Sequence, residues 1–221
     1  FLWGGANSNV LYKTDLNTFS AVYDKGMLGD ESTFINEYRS SLKNMSFIFP
    51  NAETLYSDLN KFILCHCEPV PDTGPYAQFK VMELSQNHVT VTLDGQGADE
   101  SLAGYHYFFG FYFHELLNTY EFPRLTKEVI EYLNIHKSFF ALKTLLFLML
   151  PSKIRTLLMV KSKNYLTNAF VQKYSTDNAV SGNIYGSTSL KDALIDHFEF
   201  KLEHLLKWED RNSMYFSLES R

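Results

Sequence analysis

Two glycines followed by two adjacent carboxylates make the run Leu93-Asp94-Gly95-Gln96-Gly97-Ala98-Asp99-Glu100, continued by Ser101-Leu102-Ala103-Gly104-Tyr105, the part of this chain best equipped for chemistry. Glycines at 95 and 97 let the backbone come close to a bound group. Asp99 and Glu100 are hard oxygen ligands of the kind that hold Mg²⁺ against phosphate oxygens. The β-branched stretch Val89-Thr90-Val91-Thr92-Leu93 precedes the run and a helical pattern follows it. Glycines and carboxylates thus fall at the carboxyl end of a strand, where open α/β sheets take their ligands. The pattern points to nucleotide chemistry, and the alternative is an ordinary Gly/Asp-rich turn between strand and helix.

Other candidate sites carry less. Cys65-His66-Cys67 suggests a metal, but neighbouring side chains on a helix point about 100° apart and cannot converge on one ion. The two thiols fit a reducing cytoplasm better than a disulfide framework. The aromatic run from Tyr105 to Phe113 has no basic residue to pair with phosphates, so it reads as core packing and not as a base-stacking surface. A formal charge of -5 excludes a broad nucleic-acid surface. The most apolar stretch, Phe139 to Leu150, carries Lys143 and falls short of the roughly 20 residues that span a bilayer; it reads as a buried helix. The first residues do not have the form of a signal peptide.

The positioning elements alternate through the first half. A strand is expected over Thr18–Tyr23, then a helix capped by Asp30-Glu31-Ser32 with Phe34, Ile35, Tyr38 and Leu42 on its apolar face. A strand over Met45–Phe49 leads to a helix capped by Asn51 and carrying Leu55, Leu59, Phe62 and Ile63. A further helix runs from about Pro75 to Gln86. This order predicts an α/β fold, a partial doubly wound parallel sheet over residues 1–104, followed by a helical half over residues 105–221. In that half, helices are expected around Thr126–Leu133 and Ser138–Leu150, a break at Pro151, and an exposed loop from Asn178 to Ser189. A last helix follows, with Leu194, Phe198, Leu202, Leu205 and Leu206 as its buried stripe.

The glycine-carboxylate run resembles the Ser/Asp-Gly-Glu/Gln-Gly-x-Asp-Glu-x-x-x-Gly-Tyr signature of the glutamine-dependent asparagine synthetase family, in its ATP-pyrophosphatase domain. Thr18-Phe19-Ser20-Ala21-Val22-Tyr23, Gly29-Asp30-Glu31, Glu68-Pro69 and Glu209-Asp210-Arg211-Asn212-Ser213-Met214, leading to Glu219-Ser220-Arg221, follow in the family's order. The resemblance implies an adenine nucleotide alpha hydrolase-like sheet with ATP across the carboxyl ends of its strands. Ala21 then lines the adenine pocket through its backbone, Asp94, Gly95 and Gly97 contact the nucleotide, and Asp99 binds Mg²⁺ and pyrophosphate. Gln96 and Glu100 are the implied catalytic residues. The implied reaction is ATP-dependent adenylation of aspartate or a related carboxylate, with release of pyrophosphate, then attack by ammonia. In the family the ammonia comes from glutamine, through a separate glutaminase domain with an amino-terminal Cys.

Several positions depart from the family pattern. Trp3-Gly4-Gly5-Ala6-Asn7-Ser8 stands where the family has a Ser-Gly-Gly-x-Asp-Ser phosphate loop, and Gln96 replaces the Glu common in true asparagine synthetases. Cys67 stands where an Asp often precedes Glu-Pro. The chain is therefore expected to be the interior of a larger protein, short at both ends, without its glutaminase domain and with negligible synthetase activity by itself. An incomplete sheet would leave an edge open to homodimerisation. Two functions follow: the synthetase portion of an amidotransferase, or a non-catalytic copy that keeps the scaffold and at most weak nucleotide or partner binding.

Overall fold

The computed structural model describes residues 16–23, 30–161, 167, 169–170, 173 and 184–221. The Trp3-to-Ser8 stretch, Gly29 and the first part of the loop expected from Asn178 lie outside the described residues. The fold is mixed α/β and mostly helical, with short parallel strand pairs. It divides into two compact units: the residues up to Gln96 together with His204–Arg221, and Gly97–Glu203.

In the first unit, β1 (Asn17–Ala21) pairs parallel with β2 (Asn44–Ile48), in a register running from Asn17 opposite Asn44 to Ala21 opposite Ile48. A parallel pair needs a crossover. It is made by α1 (Ser32–Glu37) and a 3-10 turn over Tyr38–Ser40. The Asp30 carboxylate starts α1 by accepting from the Ser32 amide at 3.1 Å and the Ser32 hydroxyl at 2.7 Å. Of the four apolar positions expected on this helix, Ile35 is the one fully buried, and Phe34 faces solvent. Asn51 begins α2 (Ala52–His66) with a full capping box: its side chain accepts from the Thr54 amide at 2.9 Å, and its own amide donates to the Thr54 hydroxyl at 3.0 Å. Pro75 lies in the first turn of α3 (Gly74–Ser85), where its missing amide proton costs nothing. The core joins α2 to α3 through Phe62, which meets the Tyr76 and Phe79 rings edge-on at 5.5 and 5.6 Å.

The strand expected over Val89–Leu93 forms as β3 (Val91–Thr92), and its partner is a strand the sequence reading missed: β4 (Glu219–Ser220), parallel to it at the far end of the chain. The expectation of a purely helical second half is corrected here. Glu219 and Arg221 donate their amides to Thr90 and Thr92, and Asp94 donates its amide to Arg221, each at 3.0 Å.

The second unit holds α4 (Ala98–Leu102), α5 (Tyr107–Asn118), α6 (Phe122–His136), α7 (Phe140–Met149), α8 (Ser152–Lys161) and α9 (Leu190–Phe200). The aromatic run packs inward along α5: Phe108 and Phe111 bury against Leu148 and Ala193, and Phe113 against Tyr132 and Ala141. The helix over Phe139–Leu150 is not buried as expected. Ala141 and Leu148 are enclosed, whereas Phe140, Leu146 and Met149 are 49%, 64% and 55% exposed, because α7 meets α5 along one face. The last helix is likewise two. A turn at Lys201 separates α9 from α10 (Leu202–Tyr215), and the break rotates the expected stripe: Leu202 is buried while Phe198 and Leu206 are about half exposed. Among the described residues, no helix is long and apolar enough to cross a membrane.

Gly110 sets the approach of α5 to α7. A Cβ at this position would stand 2.5 Å from the Thr144 Cβ and 3.1 Å from the Ala141 carbonyl oxygen. Gly110→Ala gains about 1 kcal/mol of helix propensity but overpacks the contact by about 1–3 kcal/mol, so the net effect is a loss. Urea unfolding should show the single variant less stable than wild type and Gly110→Ala/Thr144→Gly relieved of the overpacking. A Gly110→Ala protein of raised stability would show that the helices can separate at no cost.

Candidate functional site

Asp94 leaves β3 held on three sides. Its amide donates to Arg221, its Oδ2 accepts from Gln78 Nε2 at 2.9 Å, and its Oδ1 accepts from the Gly95 amide at 2.7 Å. Gln78 is itself fixed, because its Oε1 accepts from Asn212 Nδ2 at 3.1 Å. Asn212, wholly buried on α10, also donates to the Pro75 carbonyl at 3.0 Å. A line of amides thus runs from α10 through α3 to the first carboxylate of the motif.

Asp94 and Gln96 share a hollow of about 190 Å³ with Glu209, Asp210, Ser220 and Arg221. Glu209 is 6% exposed and accepts from the Ser220 hydroxyl. Burial is the main cause that pushes its carboxyl up, to about 7, and the Asp94 charge adds to the rise while the Ser220 bond opposes it. In the sequence Glu209 stands within a family-like run and carries no signal of this role. Neither helical periodicity nor spacing marks a side chain whose neighbours come from β3 and β4.

The remaining motif residues belong to the second unit. Gly97 has φ +92°, a left-handed conformation that glycine adopts without penalty, and the Leu202 side chain would lie 3.1 Å from any Cβ there. Asp99 and Glu100 occupy the same short helix and differ in surroundings. Asp99 is exposed. Its carboxylate fills the room left by the absent side chain of Gly104, where a Cβ would meet its Oδ1 at 2.0 Å. Glu100 is 1% exposed and accepts from the Tyr105 hydroxyl at 2.7 Å, so it is bonded within its own unit.

Ala21 ends β1 and does not line the Asp94 hollow. Just beyond it, Val22 and Tyr23 face Phe49, Asn51, Leu55 and Tyr76 across a cavity of about 490 Å³ at the carboxyl ends of β1 and β2. Cys65 is buried, and its thiol donates to the Arg211 carbonyl at 3.3 Å; burial pushes it up to about 11. Cys67 terminates α2 in a left-handed conformation and is exposed. Among the described residues, no group of three or more His, Cys, Asp or Glu is arranged to hold a metal ion.

A family model described as asparagine synthase matches residues 6–221, and the chain belongs to that family. No curated protein and no solved structure matches it. Family membership supports a synthetase-type function in asparagine biosynthesis, with ATP and small-molecule substrates.

The Glu209 environment makes stability depend on pH with a definite sign. With a folded value near 7 against an ordinary 4.5, the folded protein keeps a proton that the unfolded chain releases. This contribution is complete below about pH 4.5 and is lost as the pH rises through about 7. Glu209→Gln keeps an oxygen for Ser220 and cannot ionise. Between pH 5 and pH 8 the melting temperature of wild type should therefore fall relative to that of the variant. Parallel curves would show that Glu209 ionises as an exposed carboxyl does.

Proposed function

We propose that this chain is the synthetase portion of a glutamine-dependent asparagine synthetase-like amidotransferase. The observation that carries this reading is the cavity of about 490 Å³ at the carboxyl ends of the parallel pair β1 and β2, directly after Ala21. Its apolar and aromatic walls, Val22, Tyr23, Phe49 and Tyr76, suit a nucleotide base, and its place is where α/β sheets bind nucleotides. The two parallel pairs, on this proposal, are parts of a doubly wound sheet.

Asp94 and Gly95 would contact ATP, and Gly97, which follows in the chain, would let the backbone near its phosphates. Asp99, exposed and in no ion pair among the described residues, suits the one or two carboxylates with which Mg²⁺ is commonly held beside phosphate. Bound there, Mg²⁺ would neutralise charge on the departing pyrophosphate. Gln96 and Glu100 are the proposed catalytic residues, Gln96 lining the hollow and Glu100 acting from beside it in sequence. Glu209, holding a proton near neutral pH, can exchange it with a group in the same hollow. The carboxylate oxygen of aspartate or a related acid would attack the α-phosphorus, forming an acyl-adenylate and expelling pyrophosphate. Ammonia released from glutamine by a glutaminase domain would then displace AMP. A cytoplasmic location accords with the two free thiols. A homodimer accords with strand pairs that, among the described residues, have no further strand partners.

The test is aspartate-dependent exchange of labelled pyrophosphate into ATP, measured on the protein in its native length. Asp99→Asn preserves shape and removes charge. Losing one preorganised electrostatic partner costs about 2.7–4 kcal/mol of transition-state stabilisation, so exchange should fall on the order of a hundredfold or more while the melting temperature holds. Unchanged exchange would remove Asp99 from the site. ATP binding without exchange, in wild type, would identify the chain as a non-catalytic copy.

A further inference from the structure

A second cavity, of about 450 Å³, lies wholly within the Gly97–Glu203 unit, and none of the motif residues lines it. Tyr107 and Phe111 of α5, Phe140 and Phe147 of α7, and Tyr185 form its aromatic walls. Its size falls in the range that encloses a small organic ligand, and predominantly aromatic walls with a few placed polar groups are what such sites have.

The polar groups have one sign. Lys143 and Lys201 line the cavity, and among the described residues no Asp or Glu does, although acids outnumber bases in the chain as a whole. Lys201 is anchored: its ammonium donates to the Tyr107 hydroxyl at 2.9 Å and lies 4.2 Å from the centre of the Tyr105 ring. Lys143 is exposed on α7 and makes no ion pair among the described residues. His197 adds no charge. Its Nδ1 donates to the Ala193 carbonyl at 2.7 Å, its ring stacks on Tyr107 with centroids 5.1 Å apart, and burial lowers its basicity. Gly110 keeps α5 against α7, so the two walls that supply most of the rings are held together before any ligand arrives.

We infer that this cavity is a binding site for a flat, apolar-bodied monoanion, an aromatic carboxylate, with its rings against the aromatic side chains that α5 and α7 present to the cavity and its carboxylate at Lys143. The aromatic walls would take the apolar body out of water, and Lys143 would supply a charge-assisted hydrogen bond that a neutral analogue cannot match. The site is separate from the proposed nucleotide site and does not rest on it.

Titration calorimetry of the full chain with 2-naphthoate, and with 2-naphthamide as the uncharged isostere, tests the inference. Saturable 1:1 binding of 2-naphthoate is expected, about five- to tenfold tighter than 2-naphthamide. Lys143→Gln, a change on an exposed helical face, should remove that preference and leave 2-naphthamide binding unaltered. Ile184→Trp, which narrows the cavity, should weaken both ligands. Absence of saturable 2-naphthoate binding overturns the proposal, and so does equal affinity for acid and amide in wild type. Either failure would leave the nucleotide reading standing, because pyrophosphate exchange decides that one.

Discussion

The buried side-chain amide of Asn212 is the constraint on which the first unit depends. Its Nδ2 spans two acceptors on α3, the Pro75 carbonyl and Gln78 Oε1, and its Oδ1 shares with the Arg211 carbonyl the single proton of the Cys65 thiol of α2, at 3.6 Å. One residue of α10 therefore ties down two helices from the other end of the sequence. In a medium without competing water, each unmade bond would cost about 1–3 kcal/mol, which makes the arrangement close to all-or-none. The consequence reaches the motif, because Gln78 has one amide orientation that satisfies both neighbours. With its oxygen engaged by Asn212, its nitrogen must face Asp94.

Three carboxyl groups, of Asp94, Glu209 and Asp210, line a hollow of about 190 Å³ and raise a problem that burial and the same network answer. Neighbouring like charges in a partly dry site disfavour double ionisation. Asp94 has two N–H donors on its oxygens, from Gln78 and Gly95, whereas Glu209 has the Ser220 hydroxyl. A proton held in the hollow belongs on Glu209, the most buried of the three, whose carboxyl burial pushes up. The division of roles follows first from the burial of Glu209 and then from which side chain the backbone and the Gln78 amide reach, and not from any intrinsic difference between Asp and Glu.

Local signals were legible in the sequence where local physics decides the outcome. Asn51 before an apolar-periodic run and Pro75 at the start of an apolar helix each announce structure within a few residues of themselves, and each stands as read. The apolar stretch around α7 misled because composition measures how much a helix could bury, not how many neighbours it meets. Lys201 misled because a single turn between two helices leaves the heptad-like spacing of leucines intact while changing their direction. β4 had no signature: Glu219 and Ser220 are polar, and two residues are too few to alternate. The same distance in sequence hid Glu209, whose raised carboxyl comes from its burial and from the charge of Asp94, a residue far away in the chain.

Across the pairing of β3 with β4, the Thr92 hydroxyl donates to the carbonyl of Glu219, 127 positions away in the chain. On a ribosome adding about 5–20 residues per second, β3 emerges roughly 6 to 25 seconds before its partner strand is made. Through that interval the glycine-rich turn after β3 has neither Arg221 to receive the Asp94 amide nor Asn212 to orient Gln78. The nascent chain can assemble α2 and α3 early, yet the loop that distinguishes its family stays unset until translation of residues 212–221 is done, and a chaperone that shields β3 meanwhile would shorten the list of wrong partners it could find.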